Sequence, residues 1–391
     1  MHRRQFLRFP NTTGEWKKTT LGKVTTKHDN KRIPVTASDR IPGDTPYYGA
    51  NGIQDYVEGY THEGEYILIA EDGANDINNY PVRYTTGKIW VNNHAHVLQG
   101  KPESAYTRFM SYALKNVKFS TYLVGGGRAK LNAEAMVKIP IRIPSLAEQE
   151  AIGEFFARVD EEIEAQKTAL ENIHSLKKSL LQRMFPREGA STPELRLPGF
   201  TAEWQEQSLG NLAKFSKGKG YAKKDLQPTG TPVILYGRLY TKYSTSISQV
   251  DTFVDEQPKS IYSTGHEVIV PASGEDRKDI ARAAAVTAEG ILLGGDLHVI
   301  SSLKGLASVF LALAISHGQT RKHLTRRAQG DSVVHLGKSD LASINLSFPS
   351  LEEQKAIGEF FARMDELIAA HESKLEHLEQ RKRALLQQMF I

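Results

Sequence analysis

The feature that most constrains what this chain can fold into is that it is written twice. The segment PSLAEQEAIGEFFARVDEEIEAQ from Pro144 recurs as PSLEEQKAIGEFFARMDELIAAH from Pro349, an offset of 205. The likeness continues to LLQRMF, ending at Phe185, and LLQQMF, ending at Phe390, with 25 identities in 42 aligned positions. Shared helical composition does not produce that agreement, so the chain is two copies of one unit. The rest of each copy repeats more faintly, at offset 188. Arg8-Phe9-Pro10, Glu15-Trp16 and Leu21-Gly22 return as Arg196-Leu197-Pro198, Glu203-Trp204 and Leu209-Gly210. Tyr48-Gly49 then pairs with Tyr236-Gly237, Gly64–Ile69 with Gly265–Val270, and His96-Val97-Leu98 with His298-Val299-Ile300. The drift from 188 to 205 places 17 extra residues in the second globular part. The order is globule, helix, globule, helix, with near-identical helices and diverged globules, which suggests two different targets read from one frame.

From Glu148 to Phe185 there is no proline and Gly153 is the only glycine. At ~1.5 Å per residue such a helix would span roughly 57 Å. Apolar residues fall at alternating steps of four and three: Ile152, Phe156, Val159 and Ile163, then Leu170 and Ile173, then Leu180 and Met184. The second copy repeats them as Ile357, Phe361, Met364 and Ile368, then Leu375 and Leu378, then Leu385 and Met389. This is a heptad seam, which requires a partner helix. Gln166 and His371 interrupt it at equivalent places, as do Lys177 and Lys382. Parallel, unstaggered helices would set the two lysines against each other, which is costly. Antiparallel packing is expected to set Lys177 opposite Met364, Lys382 opposite Met184 and Gln166 opposite Leu375, each lysine laying its stem on apolar surface. The globules would then lie at opposite ends of a stiff rod, about a pseudo-two-fold axis. Pro186 and the polar run 187–193 act as a linker. Ser145 with Glu148, and Ser350 with Glu353, read as capping boxes at the helix starts.

The expected fold is α+β: two mixed α/β globules, residues 1–143 and 187–348, separated by two long antiparallel coiled-coil helices, residues 144–186 and 349–391. Within the globules, Tyr66–Ala70, Lys88–Val91 and Val137–Ile143 read as strands, and Ser104–Leu114 and Gly305–Ser316 as helices. After each of these helices comes a basic stretch expected to be a flexible loop. In the first copy it is Gly125-Gly126-Gly127-Arg128-Ala129-Lys130. In the second it holds Arg321-Lys322-His323, Arg326-Arg327 and Gly330. Glycine lets backbone approach phosphate, and arginine can read a guanine edge with two hydrogen bonds. Arg128, Lys130, Lys322, Arg326 and Arg327 are therefore candidate DNA contacts. Tyr48 and Asn51 of an early turn, with Tyr47, are further candidates, as are Tyr236 and Arg238 of its counterpart, with Tyr240 and Lys242. Solvated loops and core aromatics are the competing reading for all of them.

Chemistry is harder to find. His94 and His96 are spaced to share a strand face, but no carboxylate or cysteine cluster is evident to complete a metal site, so packed or strand-edge histidines are expected. Gly337-Lys338-Ser339 resembles the end of a phosphate-binding loop, yet Ser332 stands where the leading glycine should be. Gly125–Gly127 has no following helix to make a dinucleotide site. There is no Asp/Asn-Pro-Pro-aromatic tetrapeptide, no HExxH and no G-x-S-x-G elbow. The absence of cysteine excludes disulfides and thiolate chemistry and fits a reducing cytoplasm. A net charge of +5 points only weakly to an anionic partner. The basic start lacks an apolar core and does not read as a signal peptide, and the longest apolar run, Gly305 to Ile315, is too short for a bilayer.

Two variable globules, each followed by a helix opening PSLxEQxAIGEFF and closing LLQxMF, resemble the specificity (S, or HsdS) subunits of type I restriction–modification systems. LRFPNTTGEW and LRLPGFTAEW resemble that family's domain opening, and TPYYGANGIQDYV and GEYILIAEDG resemble one type of its target recognition domain. The resemblance covers essentially the whole chain. It implies that each globule reads half of a bipartite target in double-stranded DNA while the helices set the spacer. It implies two methyltransferase subunits packing on exposed helix faces, including Glu154, Arg158, Glu359 and Arg363, and motor–nuclease subunits joining that core. S-adenosylmethionine, ATP and magnesium are then expected on the partner subunits, with no cofactor on this chain. The competing readings are a specificity-type partner of another modification system, a self-sufficient DNA methyltransferase and a coiled-coil adaptor. The last of these leaves the two diverged globules unexplained.

Overall fold

A computed structural model describes residues 14–125, 129–330 and 333–390. It divides the chain into two compact units: Met1–Lys167 with Ser373–Ile391, and Thr168–Glu372. The two long helices, Leu146–Arg183 and Leu351–Met389, are unbroken across this division. Each unit therefore holds one globule, half of one long helix and the complementary half of the other.

In the first unit the strands are β1 (Lys17–Thr20), β2 (Thr25–Lys27), β3 (Pro42–Gly49), β4 (Gly52–Val57), β5 (His62–Ala70), β6 (Val82–Val91), β7 (Ala95–Gly100) and β8 (Pro140–Ile143). Six form one sheet in the order β2-β7-β5-β6-β3-β4, antiparallel except for β3 beside β6. β5 is buried along Tyr66–Ala70 because both faces are covered. Ile67 and Ile69 join the main core with Phe109 and Met110 of the helix Thr107–Leu114, while Tyr66 and Leu68 meet Ile89, Val91 and Val97 on the other face. A central strand covered twice reads as an apolar run rather than an alternation. β1 pairs with β8, Lys17 facing Ile143, and so ties the start of the globule to the entry of the long helix.

The second unit follows the same plan with more pieces. Gln205–Ser208 pairs with Asn345–Phe348, as β1 does with β8. One five-stranded sheet contains Lys214–Lys217, Leu297–Ser301 and Glu267–Pro271 as neighbours, matching β2-β7-β5. A second five-stranded sheet contains Thr231–Ile234 parallel to Glu289–Leu293. That parallel pair corrects one alignment. Tyr48 faces Val91, and Ile234 faces Leu293, so Ile234 and not Tyr236 occupies the place of Tyr48. The Tyr-Gly match is local, whereas register follows which side chains are buried.

Every predicted seam residue is buried or half-buried, and those at the helix ends pack into the globules: Ile152, Phe156 and Met389 in the first unit, Met184, Ile357, Phe361 and Met364 in the second. Leu181 and Leu386, one residue beyond predicted positions, are buried as well. Pairing within each unit is antiparallel. In the first unit Lys382 reaches Asp160, Lys374 lies 3.6 Å from Glu162 and Lys167 lies 3.7 Å from Glu379. In the second, Lys177 reaches Asp365, the neighbour of Met364, and His174 lies 3.9 Å from Glu372. The expectation for Lys382 is corrected. Its charge meets Asp160 beside Val159, and Met184 belongs to the other unit. Antiparallel partners run in opposite directions, so the mate of position 382 has a low number when that of 177 has a high one.

Four residues of the repeated helix motif are explained by the helix starts. Ser145 Oγ accepts the Glu148 N–H at 3.3 Å and Ser350 Oγ that of Glu353 at 3.4 Å, the forward half of a capping box. The glutamates turn elsewhere. Glu148 accepts the Trp16 indole N–H at 3.3 Å, and Glu353 takes both arms of Arg196 at 2.9 and 2.6 Å. The following glutamine is a buried clamp in both copies. Gln149 accepts from Tyr106 N at 3.0 Å and donates to Ser104 O and Pro144 O at 3.0 and 3.1 Å. Gln354 accepts from Ala307 N at 2.9 Å and donates to Gly305 O and Pro349 O at 3.0 and 2.9 Å. Gly153 is needed for close approach, since a Cβ there would meet the Tyr106 ring at 2.8 Å. Substituting Gln149→Leu leaves buried polar groups of two segments unpaired, at about 1–3 kcal/mol each. The expected loss is about 2–5 kcal/mol in denaturant unfolding of the chain. A variant within about 0.5 kcal/mol of the parent would show that the clamp is dispensable.

Candidate nucleic-acid interface

In each unit a short hairpin stem follows the globule's helix, and a buried histidine pins it. In the first, Val124 and Lys130 exchange backbone bonds of 2.9 and 2.8 Å, and Leu131 N donates to Glu71 O at 2.7 Å. His96, 1% exposed, donates from Nε2 to Leu131 O at 2.8 Å and lies with Nδ1 2.7 Å from Asp29. In the second, Gln329 and His335 exchange bonds of 3.0 and 2.7 Å, Leu336 N donates to Ala272 O at 2.9 Å, and His298 Nε2 donates to Leu336 O at 2.6 Å. The repeat thus preserves a pinned hairpin that the sequence showed only as a His-Val-Leu/His-Val-Ile match.

The charges around the two pins differ. Arg32 bonds Glu71 at 2.7 Å and lies 3.7 Å from Asp29, and Lys130 Nζ bonds Glu71 at 2.9 Å. Burial works against both carboxylates. Even so, His96 and the Val97 N–H hold Asp29 below its ordinary range, and Arg32 and Lys130 do the same for Glu71. Ala272 stands in the place of Glu71, and His298 Nδ1 is buried without a partner among the described residues, its pKa lowered by burial. Asp29, Glu71 and His96 bring three ligand-type atoms within 4.8 Å of one another. Both Glu71 oxygens already hold a cation and Asp29 is engaged by His96 and Val97, so this is a closed charge network rather than an open donor set. The expectation of no carboxylates beside these histidines is corrected: Asp29 and Glu71 come to His96 from distant segments. His94 does not share a strand face with His96; it lies in the turn before β7, 2.5 Å from Asp72.

The candidate contacts fall into two groups. Several are held by the fold. Lys130 is in the Glu71 pair, and Asn51 braces its turn by donating to Gly73 O at 2.9 Å and accepting from Asn75 N at 3.0 Å. Tyr48 is half-buried against the cluster of Tyr66 and Val91, and Tyr47 is buried under Arg40, whose guanidinium lies 4.2 Å from its ring. Arg238 bonds Asp251 at 2.7 Å and Lys242 bonds it at 2.5 Å, which holds that carboxyl well below its usual range. Tyr240 donates to Ser273 O at 2.9 Å. Arg327 is exposed but bonded to Ser343. The others are open. Lys322 and Arg326 are exposed and make no ion pair among the described residues, and Tyr236 is exposed with an edge-on contact to Tyr240. Arg128 lies outside the described residues.

The second basic stretch is not a loop. Gly318–Arg327 is a helix whose Thr320 and Leu324 are buried, leaving Lys322 and Arg326 on its outer face. Residues 319–327 contain neither glycine nor proline, and the four-residue spacing of the buried pair is the signal that charge density obscured. Of the helix-face residues, Arg158, Glu359 and Arg363 are exposed. Glu154 is engaged by Tyr106 at 2.5 Å and Arg108 at 3.2 Å. Among the described residues no helix is long and apolar enough to cross a membrane.

The model of the type I restriction modification DNA specificity domain matches residues 13–173 and again 201–380. A putative type I restriction enzyme specificity subunit of Haemophilus influenzae is 50% identical over 138 residues, 35% of this chain and only 35% of that relative's length. The MjaVIII specificity subunit of Methanocaldococcus jannaschii is 20% identical over 396 residues, covering 95% of this chain and 91% of the relative. Among solved structures, the type I restriction–modification S subunit from M. genitalium matches 98% of both chains with a TM-score of 0.69 at 16% identity.

Proposed function

The chain belongs to the family of type I restriction–modification DNA specificity subunits, and on that premise we propose how its parts divide the work. Each unit's globule reads one half of a bipartite target in double-stranded DNA. The two long helices set the unread spacer and offer their exposed faces to two methyltransferase subunits, which motor–nuclease subunits then join. Catalysis rests with those partners, and S-adenosylmethionine, ATP and magnesium act on them. The chain itself supplies binding, register and distance.

The observation that carries this reading is that one frame occurs twice with unlike side chains. Glutamine clamp, histidine pin and hairpin stem are shared, whereas Glu71 and Lys130 of one unit correspond to Ala272 and His335 of the other. A shared frame with divergent side chains is what two independent readers of different base sequences require, since specificity lies in side chains meeting base edges. Mapping methylated adenines in genomes with and without this gene tests it. A split motif with a constant spacer should vanish with the gene. A motif that persists would assign the reading to another chain, and a purified chain that methylates DNA alone would make it an enzyme in its own right.

A further inference from the structure

The second unit contains a cavity of about 830 Å³ whose lining includes Lys322, one of the open candidate contacts. Its walls come from the first long helix (His174, Lys177, Lys178), the turn after that helix (Pro186, Arg187, Glu188) and the start of the Gly318–Arg327 helix (His317, Arg321, Lys322). Five cationic side chains face a single carboxylate. The first unit has a groove of about 780 Å³ in a different place, beside residues 157–161 of the first long helix, where Arg83, Arg108 and Lys115 are balanced by Asp76, Asp160 and Glu161.

We propose that this cavity is a binding site for the phosphate backbone of duplex DNA beside the half-target read by the second globule, a role that rests on the DNA-reading function proposed above.

Several observations favour a polyanion. Lys177 and Arg187 are neutralised by Asp365 and Glu194, whereas Lys178 and Lys322 are exposed and make no ion pair among the described residues. Arg326 lies one turn beyond Lys322 on the same outer face, so the open charge continues as a row rather than ending in a closed pocket. His317, at the start of that helix, gives it no side-chain cap, so its first N–H groups add positive potential on the same side. Burial, with Arg321 and Lys177 nearby, lowers the His317 pKa to about 4. The ring is therefore neutral near pH 7 and can stay packed among cations. Protein interfaces deplete lysine at their centres, whereas DNA interfaces concentrate positive charge, so a methyltransferase surface fits this lining less well.

The test is the Lys178→Gln, Lys322→Gln double variant in the full chain assembled with its methyltransferase subunits. Affinity is measured for target and for unrelated duplex DNA at several salt concentrations. Each lost phosphate contact removes about 0.9 from the log–log salt slope. The slope should fall by about 2, affinity should drop about tenfold on both DNAs, and the methylated sequence should not change. An unchanged slope with normal target binding would overturn the site while leaving the reading function intact. Failure of the parent assembly to prefer its target would instead overturn that reading. Loss of assembly with the methyltransferase, without a change in DNA affinity per assembled complex, would reassign the cavity to a protein partner.

Discussion

Exchanging residues 187–348 for the corresponding segment of another family member is expected to change one half of the methylated motif completely and leave the other half and the spacer as they were. The expectation rests on how the second globule is held. Its ties to the helices run through repeated parts: the Gln205–Ser208 pairing with Asn345–Phe348, the Gln354 clamp, and Trp204 and Phe310 packed on Phe185 at 6.2 and 5.7 Å. A donor segment that keeps those residues should dock on the same helices, while its own surface side chains meet the DNA. Each base pair read wrongly typically costs ~1–3 kcal/mol, so a few changed contacts suffice to switch a half-target. Sequencing of methylated adenines gives the result directly. A change in both halves would mean that the globules do not read independently.

The second large effect is expected from the helices. Inserting seven residues into both, between Lys167 and Thr168 and between Glu372 and Ser373, preserves the seam and every ion pair described above, because the insertions fall on the division between the units. Seven residues add ~10.5 Å of helix, about three base pairs of DNA at ~3.4 Å each. The recognised motif should keep both half-sequences and gain a spacer about three base pairs longer. Four residues near Gln166 in one helix alone turn the following seam by about 40° at ~100° per residue. That insertion should alter the spacer or abolish assembly, again without touching the bases read. A spacer unmoved by the paired insertion would remove the measuring role from the helices, and altered half-sequences would refute it.

How far the candidate interface could be read from the sequence depended on where each residue's partners lie. Lys322 and Arg326 were identified because they are open, and an open charge needs no knowledge of its surroundings. Lys130 and Arg238 were identified by type, yet Glu71 and Asp251 hold them, and nothing near either cation in the chain marks those acids as partners. Asp29 is hidden for the same reason: it is far from His96 in sequence and meets it only when β2 pairs with β7, while Arg32 joins through Asp29 and Glu71. In Gly318–Arg327 five basic residues mask two buried ones, so a helix has the composition of a loop.

By itself the sequence determined the duplication, the seam and the antiparallel sense of the helix pairing. These follow from side-chain period and from two lysines that cannot share a layer, and both lie within a few turns of helix. The tertiary structure alone showed what each helix end is buried against. Phe390, just past the second helix, packs on Trp16 and Phe109 at 5.7 and 5.4 Å, completing the first unit, while Phe185, just past the first helix, completes the second. The two helix ends are nearly identical in sequence, so local chemistry cannot choose between the globules. The choice is made by the burial each globule's aromatic cluster obtains once the antiparallel pair has brought the opposite helix's end to it.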